Sequence, residues 1–182
     1  MKFNLFICIL FFSSFSYSSY QYEIVLDELD DAWSFVFLSE DKILYTEMPG
    51  ALKVASLDDK SIVEVKNVPE VQYVSQGGLS EVILDPNFIE NKKIYLSYSA
   101  KNSNNKSTLF LMSAELVGNE LKNNKVIFEA NAPRRTAVHL GAKIAFKQDG
   151  TLLLASGDGF DHREKAQKLD NHFGKIIRIN TD

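Results

Sequence analysis

Three histidines, His139, His162 and His172, and a single cysteine, Cys8, limit the acid–base and metal chemistry open to this 182-residue chain. A neutral imidazole is the usual general base near pH 7, because its unperturbed pKa of about 6.5 lies close to the working range. It works best when a carboxylate holds its second ring nitrogen. His139-Leu140-Gly141 stands just ahead of an apolar run that starts at Lys143, and Asp158 closes the apolar run that follows. If both runs are neighbouring strands, His139 and Asp158 meet at one rim. Gln76-Gly77-Gly78 occupies the same position ahead of the run from Ser80, and matching Glu81 to Lys143 offsets Gln76 and His139 by one residue. Glycines beside such residues let the backbone turn tightly or approach a flat ligand closely. On residue type and spacing alone, His139 is either a general base or a surface histidine, and Gln76 either a pocket residue or a solvated loop residue.

Two other groupings carry less chemistry. His162 and His172 lie in a polar segment whose spacing matches no tight zinc motif, and no thiolate accompanies them. Gly157-Asp158-Gly159 is too short for a phosphate loop and lacks its Lys-Ser/Thr.

The elements that must position His139, Asp158 and Gln76 read as many short strands. Apolar and β-branched runs bounded by Asp, Asn, Gly and Pro follow one another from Tyr22 to Ile179 with no long helical period. Strands are expected near 23–26, 34–38, 42–47, 51–57, 61–65, 80–84, 93–99, 107–116, 125–129, 143–146, 151–156 and 175–179. Glu40-Asp41, Asp58-Asp59-Lys60, Gly118-Asn119 and Gln148-Asp149-Gly150 supply turn chemistry. A strand–turn–strand plan recurs from Ser34, Ser80 and Lys143, at spacings that bracket the roughly 40–50 residues of a propeller blade once loop insertions are allowed. The fold class is therefore all-β, a partial β-propeller of about three four-stranded antiparallel blades, with a β-sandwich as the alternative. Polar residues just before the first strand of each blade project toward the channel mouth, where a propeller binds its ligand.

Residues 1–19 read as a secretory signal peptide: Lys2, the apolar stretch Leu5 to Phe12, then a serine-rich run with a small-x-small triplet at Ser16-Tyr17-Ser18. The apolar core is too short to span a bilayer, which takes about 20 residues. Residues 20–182 then form one secreted domain, periplasmic or extracellular, with no stable membrane insertion after cleavage and no cysteine for a disulfide or thiolate site. The net charge is −4, and Arg134-Arg135 is the only basic cluster. Nucleic acid, which demands clustered lysine and arginine, is not an expected partner.

Several ordered motifs together resemble the soluble PQQ-dependent aldose sugar dehydrogenases, the glucose/sorbosone dehydrogenase family of six-bladed propellers. The resemblance rests on Gln76-Gly77-Gly78-Leu79, Leu84-Asp85-Pro86-Asn87-Phe88, Ile94-Tyr95-Leu96-Ser97-Tyr98, and the later series of His139, Asp149-Gly150-Thr151-Leu152, Gly157-Asp158, Ala166-Gln167, Gly174-Lys175-Ile176 and Arg178-Ile179-Asn180. It implies that His139 removes the anomeric hydroxyl proton of an aldose while hydride passes to PQQ, giving the lactone. Asp158 would orient His139, Gln76 and Gly77 would line the cofactor pocket, and an external acceptor would reoxidise the cofactor. A calcium ion on PQQ would act as Lewis acid. The chain departs from the family pattern at Gly141-Ala142-Lys143, where Gly-Gly-Arg or Gly-Ser-Arg is usual, and at Val138, where some members carry a carboxylate. Family members continue for about as long again, through a Gly-His-Arg-Asn-Pro-Gln-Gly motif and the calcium-binding loops. The resemblance thus implies an incomplete fragment that is inactive alone. A non-enzymatic secreted propeller binding a glycan or protein at the same rim is the alternative, and a hydrolytic propeller a weaker one.

Overall fold

The computed structural model describes residues 20–181; the expected leader 1–19 lies outside them. Three antiparallel sheets follow in chain order. The first runs β1 (Ala32–Phe37), β2 (Lys42–Glu47), β3 (Ala51–Ser56) and β4 (Ile62–Glu64). The second runs β5 (Leu79–Leu84), β6 (Lys93–Lys101), β7 (Ser107–Val117) and β8 (Glu120–Glu129). The third contains β9 (Gly141–Phe146), β10 (Leu152–Ser156) and β11 (Lys175–Ile179). Each sheet is an up-and-down meander, and the first strands of the three, β1, β5 and β9, lie side by side. This is the arrangement of consecutive propeller blades.

The period of two along β6 explains the stacking. Ile94, Leu96 and Tyr98 join Leu44, Leu52, Leu79 and Met112 in the core between the first and second sheets. Tyr95 faces the other way and joins Leu109, Leu111, Ile144, Leu152, Leu154 and Phe173 between the second and third. A strand covered on both faces loses its apolar–polar alternation, and β6 is buried from Ile94 through Ser99. The outer faces of the end sheets are not covered: Trp33, Phe35 and Phe37 on β1 and Ile176 on β11 are all exposed by half or more.

A repeated seam joins the blades. Thr46 Oγ1 on β2 donates to the Ser80 carbonyl on β5 at 2.6 Å. One blade later, Ser97 Oγ on β6 donates to the Ala142 carbonyl on β9 at 2.7 Å. Both hydroxyl residues are fully buried, so the second strand of each of these sheets secures the first strand of the next.

The strands match the sequence expectation with three corrections. Residues 23–26 are extended but belong to no sheet among the described residues, and Ile24 remains exposed; their alternation has no edge to pair with. The strand expected at 125–129 begins at Glu120, because Gly118-Asn119 turns the chain tightly enough for Val117 to pair with Glu120 at once. The polar run 122–125 masked it. The third sheet has three described strands instead of four. A one-turn helix, α1 (Phe88–Asn91), and a 3-10 turn, Arg163–Gln167, fill connections read as loops.

The seam makes a prediction. Ser97 Oγ also accepts the Glu81 N–H at 3.1 Å, so Ser97→Ala leaves a buried donor and a buried acceptor unpaired. It should lower the stability of the chain by about 1–3 kcal/mol, read as a fall in the urea midpoint; an unchanged midpoint would show that the seam contributes nothing.

Candidate active site

The loops entering β5 and β9 are laced together at the rim of the inner strands. The Gln76 N–H donates to the Ala137 carbonyl at 3.0 Å, and in return the His139 N–H donates to Gln76 Oε1 at 2.8 Å. Both loops pass through the left-handed region, at Ser75 (φ 58°) and at His139 itself (φ 46°). Such conformations cost energy in a non-glycine residue and persist only when neighbours over-determine them. One neighbour is Gly157: a Cβ there would lie 2.0 Å from the His139 carbonyl oxygen, so no other residue lets the two backbones approach. Gly77 does comparable work under Gln76. It is buried, and a Cβ on it would meet Ser99 Oγ at 2.5 Å and Ala137 Cβ at 2.6 Å, which places it behind the rim and not on the cleft wall.

Asp158 follows the end of β10 and meets His139, as the spacing predicts. Its Oδ1 lies 2.8 Å from His139 Nδ1 and accepts the Phe160 N–H at 2.9 Å. The Phe160 amide, followed by the His139 side chain, holds the Asp158 carboxyl below its ordinary value. An ionised carboxylate only accepts hydrogen bonds. In the contact with Asp158, His139 Nδ1 must therefore be the donor, and in a neutral ring that leaves the lone pair on Nε2. The ring is steadied edge-on by Phe160, with centroids 5.3 Å apart, and the Arg163 guanidinium lies 4.7 Å from the Phe160 centroid.

His139 and Gln76 open on a cleft of about 510 Å³ lined also by Trp33, Met48, Ser80 and the small residues Gly141 and Ala142. Below it, Lys143 on β9 pairs with Glu81 on β5, Nζ to Oε1 2.5 Å. The positions matched in sequence thus face each other across two blades. The Glu81 side chain is largely buried while that of Lys143 is mostly exposed.

His162 and His172 stay apart from this site chemically. The His172 Nδ1 accepts the Asn131 N–H at 2.8 Å, and burial lowers its pKa; His162 packs on Phe173, with centroids 4.6 Å apart. Among the described residues, no three His, Cys, Asp or Glu side chains converge as metal ligands. Arg134 is the residue that sequence reasoning missed. Its charge reads as surface in the pair Arg134-Arg135, yet its side chain is buried beneath His139.

Three neighbouring meander sheets with a His–Asp pair at the rim of the third form a propeller-like arrangement. Residues 29–182 match the family model described as Glucose / Sorbosone dehydrogenase, and the chain belongs to that family. It is 29% identical over 160 residues to the aldose sugar dehydrogenase YliI of Escherichia coli, covering 86% of this chain and 43% of that protein. Among solved structures, it resembles the apo-form of the soluble aldose sugar dehydrogenase of Escherichia coli with a TM-score of 0.82 at 29% identity, over 87% of this chain and 46% of that one. A PQQ-bound aldose sugar dehydrogenase from Streptomyces coelicolor shares the fold with a TM-score of 0.73 at 21% identity, over 86% of this chain and 46% of that one. The chain spans less than half the length of the curated relatives it matches.

The depressed pKa of Asp158 sets a pH window. A carboxyl that is more acidic folded than unfolded contributes stability that is complete above its unfolded value of 3.8 and is lost as pH falls through the lower folded value. Asp158→Asn should therefore be less stable than the parent at neutral pH, and the gap between their urea midpoints should narrow as pH falls below 3.8. A gap that stays constant down to acid pH would contradict the ionised pair.

Proposed function

We propose that this chain supplies the general base and one wall of the cofactor pocket of an exported, PQQ-dependent aldose dehydrogenase. The observation that carries the proposal is the His139–Asp158 pair at the cleft: Asp158 fixes the Nδ1–H tautomer and so points the chemistry at Nε2. In this reading His139 Nε2 takes the anomeric hydroxyl proton as the C1–O bond gains double-bond character and C1 gives up its hydride, leaving the lactone. Bound PQQ would accept the hydride and its electron pair, which no side chain of this protein can do.

The residues at the cleft suit one side of a planar, acceptor-rich cofactor. Gln76 Oε1 accepts the His139 N–H, which fixes the orientation of the carboxamide and leaves its N–H donors for a ligand, and these match quinone or carboxylate oxygens. Trp33 and Met48 offer apolar surface, and Gly141 and Ala142 permit close approach. Calcium bound with the cofactor belongs to the same reading, with ligands outside the residues described.

The exposed aromatic row on β1 and Ile176 on β11 favour activity in a ring closed by further blades, since a blade face buries its apolar residues against a neighbour. On this account residues 20–182 are inactive alone, and export follows from the leader-like residues 1–19. No described helix is long and apolar enough to cross a membrane.

The test is aldose-dependent dye reduction by the PQQ- and calcium-loaded protein, assayed both as residues 20–182 alone and as the ring that contains them. The closed ring should turn over, residues 20–182 alone should not, and His139→Ala should lower the ring's rate by about 10²–10⁴-fold, the usual share of a general base. A rate that survives His139→Ala would remove the assignment. Glycan binding that is unaffected by the substitution, without oxidation, would favour a binding module instead.

A further inference from the structure

Beneath the rim lies a cation that the proton transfer does not use. The Arg134 side chain is among the largest fully buried in the described chain. Nη1 donates to the Ala132 carbonyl at 2.8 Å. Nη2 donates to the Gly157 carbonyl at 2.9 Å and makes a longer contact of 3.4 Å to the His139 carbonyl. The guanidinium carbon lies 5.1 Å from the centroid of the Phe173 ring. The Arg134 backbone exchanges both hydrogen bonds with Ser107 on β7, at 2.7 and 3.0 Å, which anchors the arginine to the second sheet while its side chain reaches the third.

Two features set this arginine apart from a packing residue. Its Nη2 grips the carbonyl of His139 and the carbonyl of the residue before Asp158, so one group holds the backbone beneath both members of the catalytic pair. It is also an expensive way to fill space. Taking a charge out of water costs several kcal/mol, and burial lowers the Arg134 pKa to about 10, with the Asp158 charge acting in the opposite direction. The group is still a cation at neutral pH. An apolar side chain of similar volume would fill the same space without that penalty, whereas only a planar fork donates to several carbonyls at once.

We propose that Arg134 is a positioning residue that sets the His139–Asp158 pair: by clamping the carbonyls of His139 and Gly157 it holds His139 in its left-handed conformation, with Nδ1 turned to Asp158. The inference rests on the reading of His139 as the base, and its test uses a readout separate from turnover.

The experiment is ¹⁵N NMR of the histidine rings in the intact chain, at a pH where imidazole is neutral. The parent should show His139 in the Nδ1–H form. In Arg134→Lys and Arg134→Met the ratio of Nδ1–H to Nε2–H at His139 should fall at least about threefold, as the ring relaxes toward the mixture of free imidazole, with the His162 signal unmoved. Phe173→Leu, which removes the ring beside the guanidinium but leaves the carbonyl contacts, should lower the melting temperature and leave the His139 ratio at its parental value. Folded arginine variants with a parental ratio would overturn the proposal, as would an equal shift in Phe173→Leu. A parent His139 that already samples both tautomers would overturn it without any variant. Absent dye reduction together with the predicted ring shifts would count against the oxidation chemistry alone.

Discussion

The site depends on how closely the first strands of successive sheets approach one another. Two buried hydroxyls, Thr46 and Ser97, donate across consecutive blade boundaries, and that seam fixes the height of β5 and β9 relative to each other. With those strands in place, the loops that enter them must meet, and they do so through backbone and carboxamide: Gln76 N–H to the Ala137 carbonyl, and His139 N–H to Gln76 Oε1. Gln76 therefore binds the base's backbone before it binds any ligand. The left-handed φ of His139 is the cost of this lacing, and the close contact with Gly157 and the buried Arg134 fork are what sustain it.

Charge is distributed accordingly. Among the described residues one cation, Arg134, lies wholly inside and beneath the rim, while the carboxylate that answers it, Asp158, is partly exposed and tied to a backbone amide and an imidazole. The pair Glu81–Lys143 inverts the arrangement one step along the inner strands, with the carboxylate buried and the ammonium exposed. Where the family usually has arginine, the lysine is a point charge that one carboxylate can satisfy, and here Glu81 does so.

Most of the strand pattern was legible because blades are built from local meanders, and turn chemistry at Asp58-Asp59-Lys60, Gly118-Asn119 and Asp149-Gly150 marks their corners. What the sequence concealed has physical causes. Residues 120–124 alternate poorly because β8 is an exposed outer strand with little core to face. Residues 23–26 carry a strand's alternation but find no edge among the described residues. The placement of His139, Asp158 and Gln76 was legible because His139 and Gln76 stand just ahead of the inner strands β9 and β5, and Asp158 follows the strand paired with β9. Gly77, read as lining the pocket, sits behind it, since spacing alone does not tell which side of a loop a glycine serves. Arg134 was illegible for a related reason: a charged residue in a loop reads as surface, and only the fold reveals the ring of carbonyls that receives it.

The central claim is that His139 Nε2, freed by Asp158, takes the substrate proton. Its most direct test is the solvent isotope effect on single-turnover aldose oxidation by the PQQ- and calcium-loaded closed ring, comparing the parent with His139→Ala in H2O and D2O. The parent should slow in D2O because the hydroxyl proton passes to Nε2 as the hydride leaves, and the residual rate of the variant should show a smaller effect. An identical isotope effect in both would contradict the account.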